Sequence, residues 1–294
     1  MNRLVLGTAQ FGMRYGIANK TGQPDIDYTE AIIRAAWDGG IREFDTAQSY
    51  GECERILGSI ITHLGIESQI RINSKLKPMA NNLSPKVLID DLKRSLNRLG
   101  IEKLHCMMLH KESLIDQWDR SFAKSLFGLL EANLVKHIGI SVYSPDKALK
   151  AIRTEGISSI QIPSNILDRR FETADVFQEA DRKRKQIYVR SIFLQGLLLM
   201  EPEDLPSNMI FANRILREYK SFAEKKGISR HLLALGYVRK AYPESRIIIG
   251  VETLDQINMN LQSWNAVIDN RILQEARQIF KSVDIKVLNP FLWT

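Results

Sequence analysis

Residues 71–110 read RINSKLKPMANNLSPKVLIDDLKRSLNRLGIEKLHCMMLH and contain one complete strand–helix–strand unit. The runs 71–76 and 103–109 are short and of strand type. Between them, Ser84-Pro85 supplies a helix cap and a first-turn proline. Leu88, Leu92, Leu96 and Leu99 then fall on one helical face, and Gly100 stops the helix. Two strands joined by such a helix run parallel, with a right-handed crossover.

The alternation continues on both sides. Strand-type runs lie near 4–8, 42–46, 71–76, 103–109, 136–141, 158–162, 187–193 and 246–250. Asp27 and Glu30 make a capping-box pattern ahead of Ile32, Ile33, Ala36 and Trp37, which Gly39-Gly40 terminates. The interval before the last strand holds two helical patterns, 213–226 and 230–242, and a helical tail spans 269–282. Eight strand–helix units predict an α/β protein with the (β/α)₈ TIM-barrel fold, as one domain over residues 1–294. An open doubly wound sheet would be expected to open its first helix with GxGxxG, and neither that fingerprint nor a Walker loop occurs.

Composition narrows the function classes. With 44% apolar and 26% charged residues the chain is of ordinary globular type, which excludes disorder, collagen and coiled coil. Two cysteines, Cys53 and Cys106, cannot build a disulfide framework or a cysteine-rich zinc site, and they suit a reducing cytoplasm. No run approaches the roughly 20 apolar residues of a membrane span. The longest, 193–200, is broken by Gln195 and Gly196. The N-terminal stretch lacks the apolar core of a signal peptide and reads as a first strand. The net charge of +7 is spread among acids rather than gathered in a stripe with aromatics, so no nucleic-acid partner and no membrane partner is expected. A basic balance suits an anionic cofactor. Nothing in the pattern sets an oligomeric state.

In a barrel of this kind the chemistry sits where strands end. The second strand ends in Phe44-Asp45-Thr46 and is followed by Tyr50; the third ends in Asn73-Ser74-Lys75; the fourth ends in His110. A tyrosine, with a reference pKa near 10, is a poor acid at neutral pH. A neighbouring Lys75 ammonium is expected to lower that value, with Asp45 holding the lysine charged and oriented. His110 is placed to orient a carbonyl or relay a proton. Such a group protonates a carbonyl oxygen while hydride arrives from elsewhere, so a nicotinamide or flavin is required. Taken singly, each residue also has a structural reading: a cap, a surface aromatic, a solvated lysine, a hydrogen-bonded histidine. No metal is expected, because the carboxylates do not cluster and His110 has no histidine partner nearby.

FDTAQSYG (44–51), with NSK (73–75) and MMLH (107–110), resembles the aldo/keto reductase superfamily, and the resemblance runs from LVLGTAQFG (4–12) to IIIGVETLDQINMNL (247–261). It implies NADP(H) or NAD(H) as cofactor and interconversion of carbonyls and alcohols. It casts Tyr50 as general acid/base, Asp45 and Lys75 as its tuning pair, and His110 as the residue that orients substrate. It places Gly7 and Thr8 beside the cofactor. Ser141 and Gln161 match residues that hold the nicotinamide carboxamide, although Val142 stands where asparagine is usual. Arg190 replaces the aromatic that stacks on nicotinamide. There it would repel the cationic oxidised ring and favour the reduced cofactor, or turn to an anionic substrate. Ser191, Phe193 and Gln195 match residues around the pyrophosphate. Gly250, Glu252, Thr253, Gln256 and Asn260 match the adenosine end, where a Thr253-capped helix offers free amides. Glu252 stands where the family often has Arg or Lys, so NADH is expected to rival or beat NADPH.

The substrate expected is a small carbonyl compound or a sugar, with Phe11, Met13, Tyr15, Lys77, Lys111, Tyr143 and Arg190 as candidate lining. The loop 12–25 carries Arg14 and Lys20 and no acid before Asp25; its readings are a cover over the site, a contact for an anionic substrate, or a solvated entry loop. The alternative is a nicotinamide-binding regulatory or interaction protein with little or no turnover.

Overall fold

Eight parallel strands form where the alternation places them: β1 (Leu4–Gly7), β2 (Glu43–Asp45), β3 (Arg71–Leu76), β4 (Leu104–Leu109), β5 (Val135–Ser141), β6 (Ser159–Pro163), β7 (Gln186–Arg190) and β8 (Arg246–Gly250). Each pairs with the next, and β1 pairs with β8 to close the barrel. The computed structural model describes residues 2–77 and 84–293. The architecture is the expected (β/α)₈ barrel in a single domain.

The helices wrap the sheet with their apolar stripes inward. Pro85–Leu99 buries Leu88, Leu92, Leu96 and Leu99 and ends at Gly100, whose φ of 65° is the left-handed turn that glycine accepts without strain. The helix Ile26–Asp38 is capped two residues earlier than expected. Asp25 accepts from the Tyr28 amide, while Glu30 bonds Arg34 and His63, so the Asp27–Glu30 box is not made. β7 stops at Arg190 rather than 193 because Ser191 takes a φ of 60°, outside strand geometry.

The barrel has two apolar layers. The outer one lies between sheet and helices. The inner one is a plug of Val5, Cys106, Met108, Tyr188 and Ile248. Since strand side chains alternate, the same inward files carry Gly7 above Val5, Arg190 above Tyr188 and Gly250 above Ile248. Polar residues thus collect at the C-terminal mouth, over a greasy floor. Among the described residues no helix is long and apolar enough to cross a membrane. Nor do they contain a group of three or more metal-ligating side chains.

Candidate active site

The loop after β2 is tied to the strand beside it. Thr46 donates its amide to Asn73 O at 2.8 Å, and Gln48 donates to Lys75 O at 3.1 Å. Two glycines let the β1 and β2 loops touch. A Cβ on Gly12 would lie 1.9 Å from Tyr50 O, and one on Gly51 would lie 2.2 Å from Gly12 O. Tyr50 is therefore positioned by backbone contacts that no side chain would fit.

Behind Tyr50 lies a buried ion pair. Lys75, 1% exposed, places Nζ 2.5 Å from Asp45 Oδ2, 3.0 Å from Thr46 O and 5.2 Å from the Tyr50 ring centre. The other Asp45 oxygen accepts from Gln161 Nε2 at 2.7 Å, and Ser141 Oγ lies 3.5 Å from Gln161 Oε1. Burial alone would lower the Lys75 pKa, but Asp45 and Tyr50 outweigh it and raise it, so the ammonium is secure. For Tyr50 the balance runs against expectation. Burial raises its pKa by more than Lys75 lowers it, and Asp45 offsets part of the lysine charge. The resting phenol is protonated. His110, just beyond β4, sets its ring edge-on to Tyr50 at 6.1 Å, with Nδ1 3.3 Å from Ser49 Oγ. Burial first, then Lys75 and Arg190, push its pKa down to about 4, so the imidazole is neutral.

A cavity of about 400 Å³ opens in front of this group. Its walls include Gly7, Thr8, Asp45, Tyr50, Gln161, Arg190, Ser191, Phe193, Gln195, Gly250, Glu252, Gln256 and Asn260. Four expected residues stand outside the wall: Lys75, His110, Ser141 and Thr253. The Thr253 hydroxyl is taken by the Gln256 amide as a helix cap. Phe11, expected in the lining, is instead fully buried in the outer core. Met13, Lys77, Lys111 and Tyr143 are also outside the wall, while Tyr15 and Arg190 are part of it.

Two loops frame the cavity. Beyond β7, Ser191, Leu194 and Gln195 all take positive φ, at 60°, 48° and 55°. Each such residue costs about 1–3 kcal/mol, and such strain gathers at functional sites. Of the readings of the β1 loop, the structure favours the cover: Lys20 is bonded to Asp204 at 2.7 Å, and Gly16, Ala18 and Lys20 are in the wall. The sequence reading missed Glu201, Asp204, His231 and Met259, which also line it. Their only local signal is nearness to the β7 loop and the final helices.

The model of the Aldo/keto reductase family matches residues 3–280. The chain belongs to the aldo/keto reductase family. It is 23% identical over 278 residues to L-glyceraldehyde 3-phosphate reductase of Escherichia coli, covering 82% of this chain and 80% of that one. Its fold matches the holo form of aldo-keto reductase AKR11C1 from Bacillus halodurans with a TM-score of 0.77 at 21% identity, over 94% and 91% of the two chains. It matches glycerol dehydrogenase AKR11B4 from Gluconobacter oxydans with a TM-score of 0.75 at 22% identity, over 99% and 94%. As an aldo/keto reductase the protein falls among oxidoreductases of carbonyls and alcohols.

Proposed function

We propose that this protein reduces an aldehyde, ketone or sugar with NADPH or NADH, or runs the reverse oxidation, with Tyr50 as general acid/base. The observation that carries this reading is a protonated phenol on a cavity wall, backed by a buried ammonium–carboxylate pair and flanked by a neutral imidazole. The substrate carbonyl oxygen accepts from the Tyr50 hydroxyl, and His110 orients it. Tyr50 gives up its proton as the carbonyl is reduced, and the Lys75 ammonium stabilises the phenolate left behind. A bound reduced nicotinamide would supply the hydride to the carbonyl carbon.

The cavity suits such a cofactor. In its wall, Asn260 Oδ1 is buried without a partner, an acceptor matched to an amino donor such as that of adenine. Gly7 and Thr8, Ser141 and Gln161, and Ser191, Phe193 and Gln195 are the residues we assign to the nicotinamide and pyrophosphate. Gly250, Glu252, Thr253, Gln256 and Asn260 take the adenosine end. Burial raises the Glu252 pKa, yet a carboxyl in this wall is a poor neighbour for a 2′-phosphate and a good acceptor for a ribose hydroxyl. Both cysteines are buried and free, which fits a reducing cytoplasm.

Fluorescence titration with NADPH and NADH tests the reading. NADH is expected to bind at least as tightly as NADPH, and Glu252→Gln to shift the ratio toward NADPH. Absence of binding by either overturns the proposal. Binding without turnover across an aldehyde and sugar panel would favour a cofactor-sensing role.

A further inference from the structure

Arg190 ends β7 on the cavity wall that also holds Tyr50. Its guanidinium stacks on Tyr143 at 4.3 Å from the ring centre, and Phe291 packs edge-on against Tyr143 with ring centres 4.9 Å apart. A guanidinium held by one face keeps its in-plane N–H groups free of the stack, in a fork that matches a carboxylate or phosphate. Little of that fork is used. Nη1 donates to Ser191 Oγ at 3.2 Å, whereas Nη2 is sheltered from solvent and has no partner. Among the described residues no carboxylate pairs with it. The other cation at this end, Lys75, is matched by Asp45. Arg190 therefore leaves an uncompensated positive charge, and its field is felt at Tyr50, His110 and Tyr15.

Resting on the proposed carbonyl chemistry at Tyr50, we propose that Arg190 binds an anionic group carried by the substrate, a carboxylate or a phosphate monoester, and so selects anionic carbonyl compounds over neutral ones. The stack on Tyr143 takes the side chain away from the nicotinamide-stacking role of the residue it replaces. The carbonyl end of the substrate meets Tyr50, and its anionic end completes the Arg190 fork.

The test uses matched pairs on the full chain: succinate semialdehyde against butanal for the carboxylate, and glycolaldehyde phosphate against glycolaldehyde for the phosphate. A charge-assisted bond of this kind predicts that kcat/KM favours the anionic member by about 10- to 100-fold. Whichever pair shows the larger ratio identifies the anion. Arg190→Met should bring the ratio to within about threefold of unity while the NADPH and NADH dissociation constants stay within about threefold of wild type. Arg190→Gln is the second variant should the methionine protein not fold. Calorimetry with 4-hydroxybutyrate and butan-1-ol reads the anion site without turnover. The wild type should bind the hydroxy acid more tightly, and the variants should bind both alike. A discrimination that survives Arg190→Met, or a variant that loses cofactor affinity instead, overturns the assignment. Anion binding without cofactor binding would leave this inference standing and remove the reductase reading.

Discussion

Asp45 and Glu43 lie two residues apart on one strand, and both are buried, at 4% and 1% exposure. Each belongs to a carboxylate–tyrosine pair, yet the pairs are built for opposite ends. At the mouth, Asp45 binds an ammonium at 2.5 Å, and that ammonium lies behind Tyr50, which itself fronts an open cavity. Lower down, Glu43 accepts directly from Tyr188 at 2.5 Å and from Asn73 at 2.9 Å. Its cations, Arg71 and Arg246, stand off at 3.8 and 3.7 Å. Burial and then the Glu43 charge push the Tyr188 pKa far up, locking its proton in place. The lesson is that a buried carboxylate beside a tyrosine says little about function. What differs is the ammonium interposed at the mouth and the cavity in front of the phenol.

Removing each phenol oxygen is the sharpest way to break the comparison. Tyr50→Phe deletes the proposed acid and should lower kcat by about 10²–10⁴-fold, with cofactor affinity nearly unchanged. Tyr188→Phe should leave kcat alone. If both variants turn over like the wild type, the mouth is not the reactive end.

Stability should separate the two ends next. Lys75→Met strands the Asp45 charge in a buried site and should cost about 3–5 kcal/mol in urea denaturation, together with turnover. The double variant Asp45→Asn/Lys75→Met should recover much of that stability and none of the activity. A double variant that regains turnover would show that the pair only holds the barrel together. Tyr188→Phe removes one bond from a buried acceptor, and its expected cost is smaller, about 1–3 kcal/mol.

The mouth was largely legible in the sequence and the lower network was not. Asp45 and Tyr50 sit close in one segment, and Lys75 and His110 fall at strand ends, where barrel chemistry is expected. Glu43 meets Asn73 on the neighbouring strand and reaches Tyr188, 145 positions away, only because eight strands close into a ring. Charge counting also misjudged Tyr50. Neighbouring charges can be read from a sequence, but the burial that outweighs them cannot. Arg190 was visible as a departure from the family pattern, while the choice between its two roles had to wait for the stack on Tyr143. Phe11 was misplaced because a loop aromatic beside a barrel mouth can turn outward into the helix layer, as it does here.

The mouth also carries a pH dependence of its own. Folding lowers the His110 pKa from the ordinary 6.5 to about 4, because the ring is buried and faces Lys75 and Arg190. Between those values the unfolded chain holds a proton that the folded protein refuses. Stability must therefore rise with pH across this window, be complete above 6.5, and be lost as pH falls through about 4. His105, also lowered to about 4, contributes in the same sense. His110→Asn should flatten the slope of denaturation midpoint against pH between 4 and 6.5 and leave the remainder to the other histidines. In the wild type, the His110 ring proton in an NMR titration should move with a midpoint near 4. A midpoint near 6.5 would mean that water or an anion relieves the site, and that the imidazole beside Tyr50 is charged at the acid end of the working range.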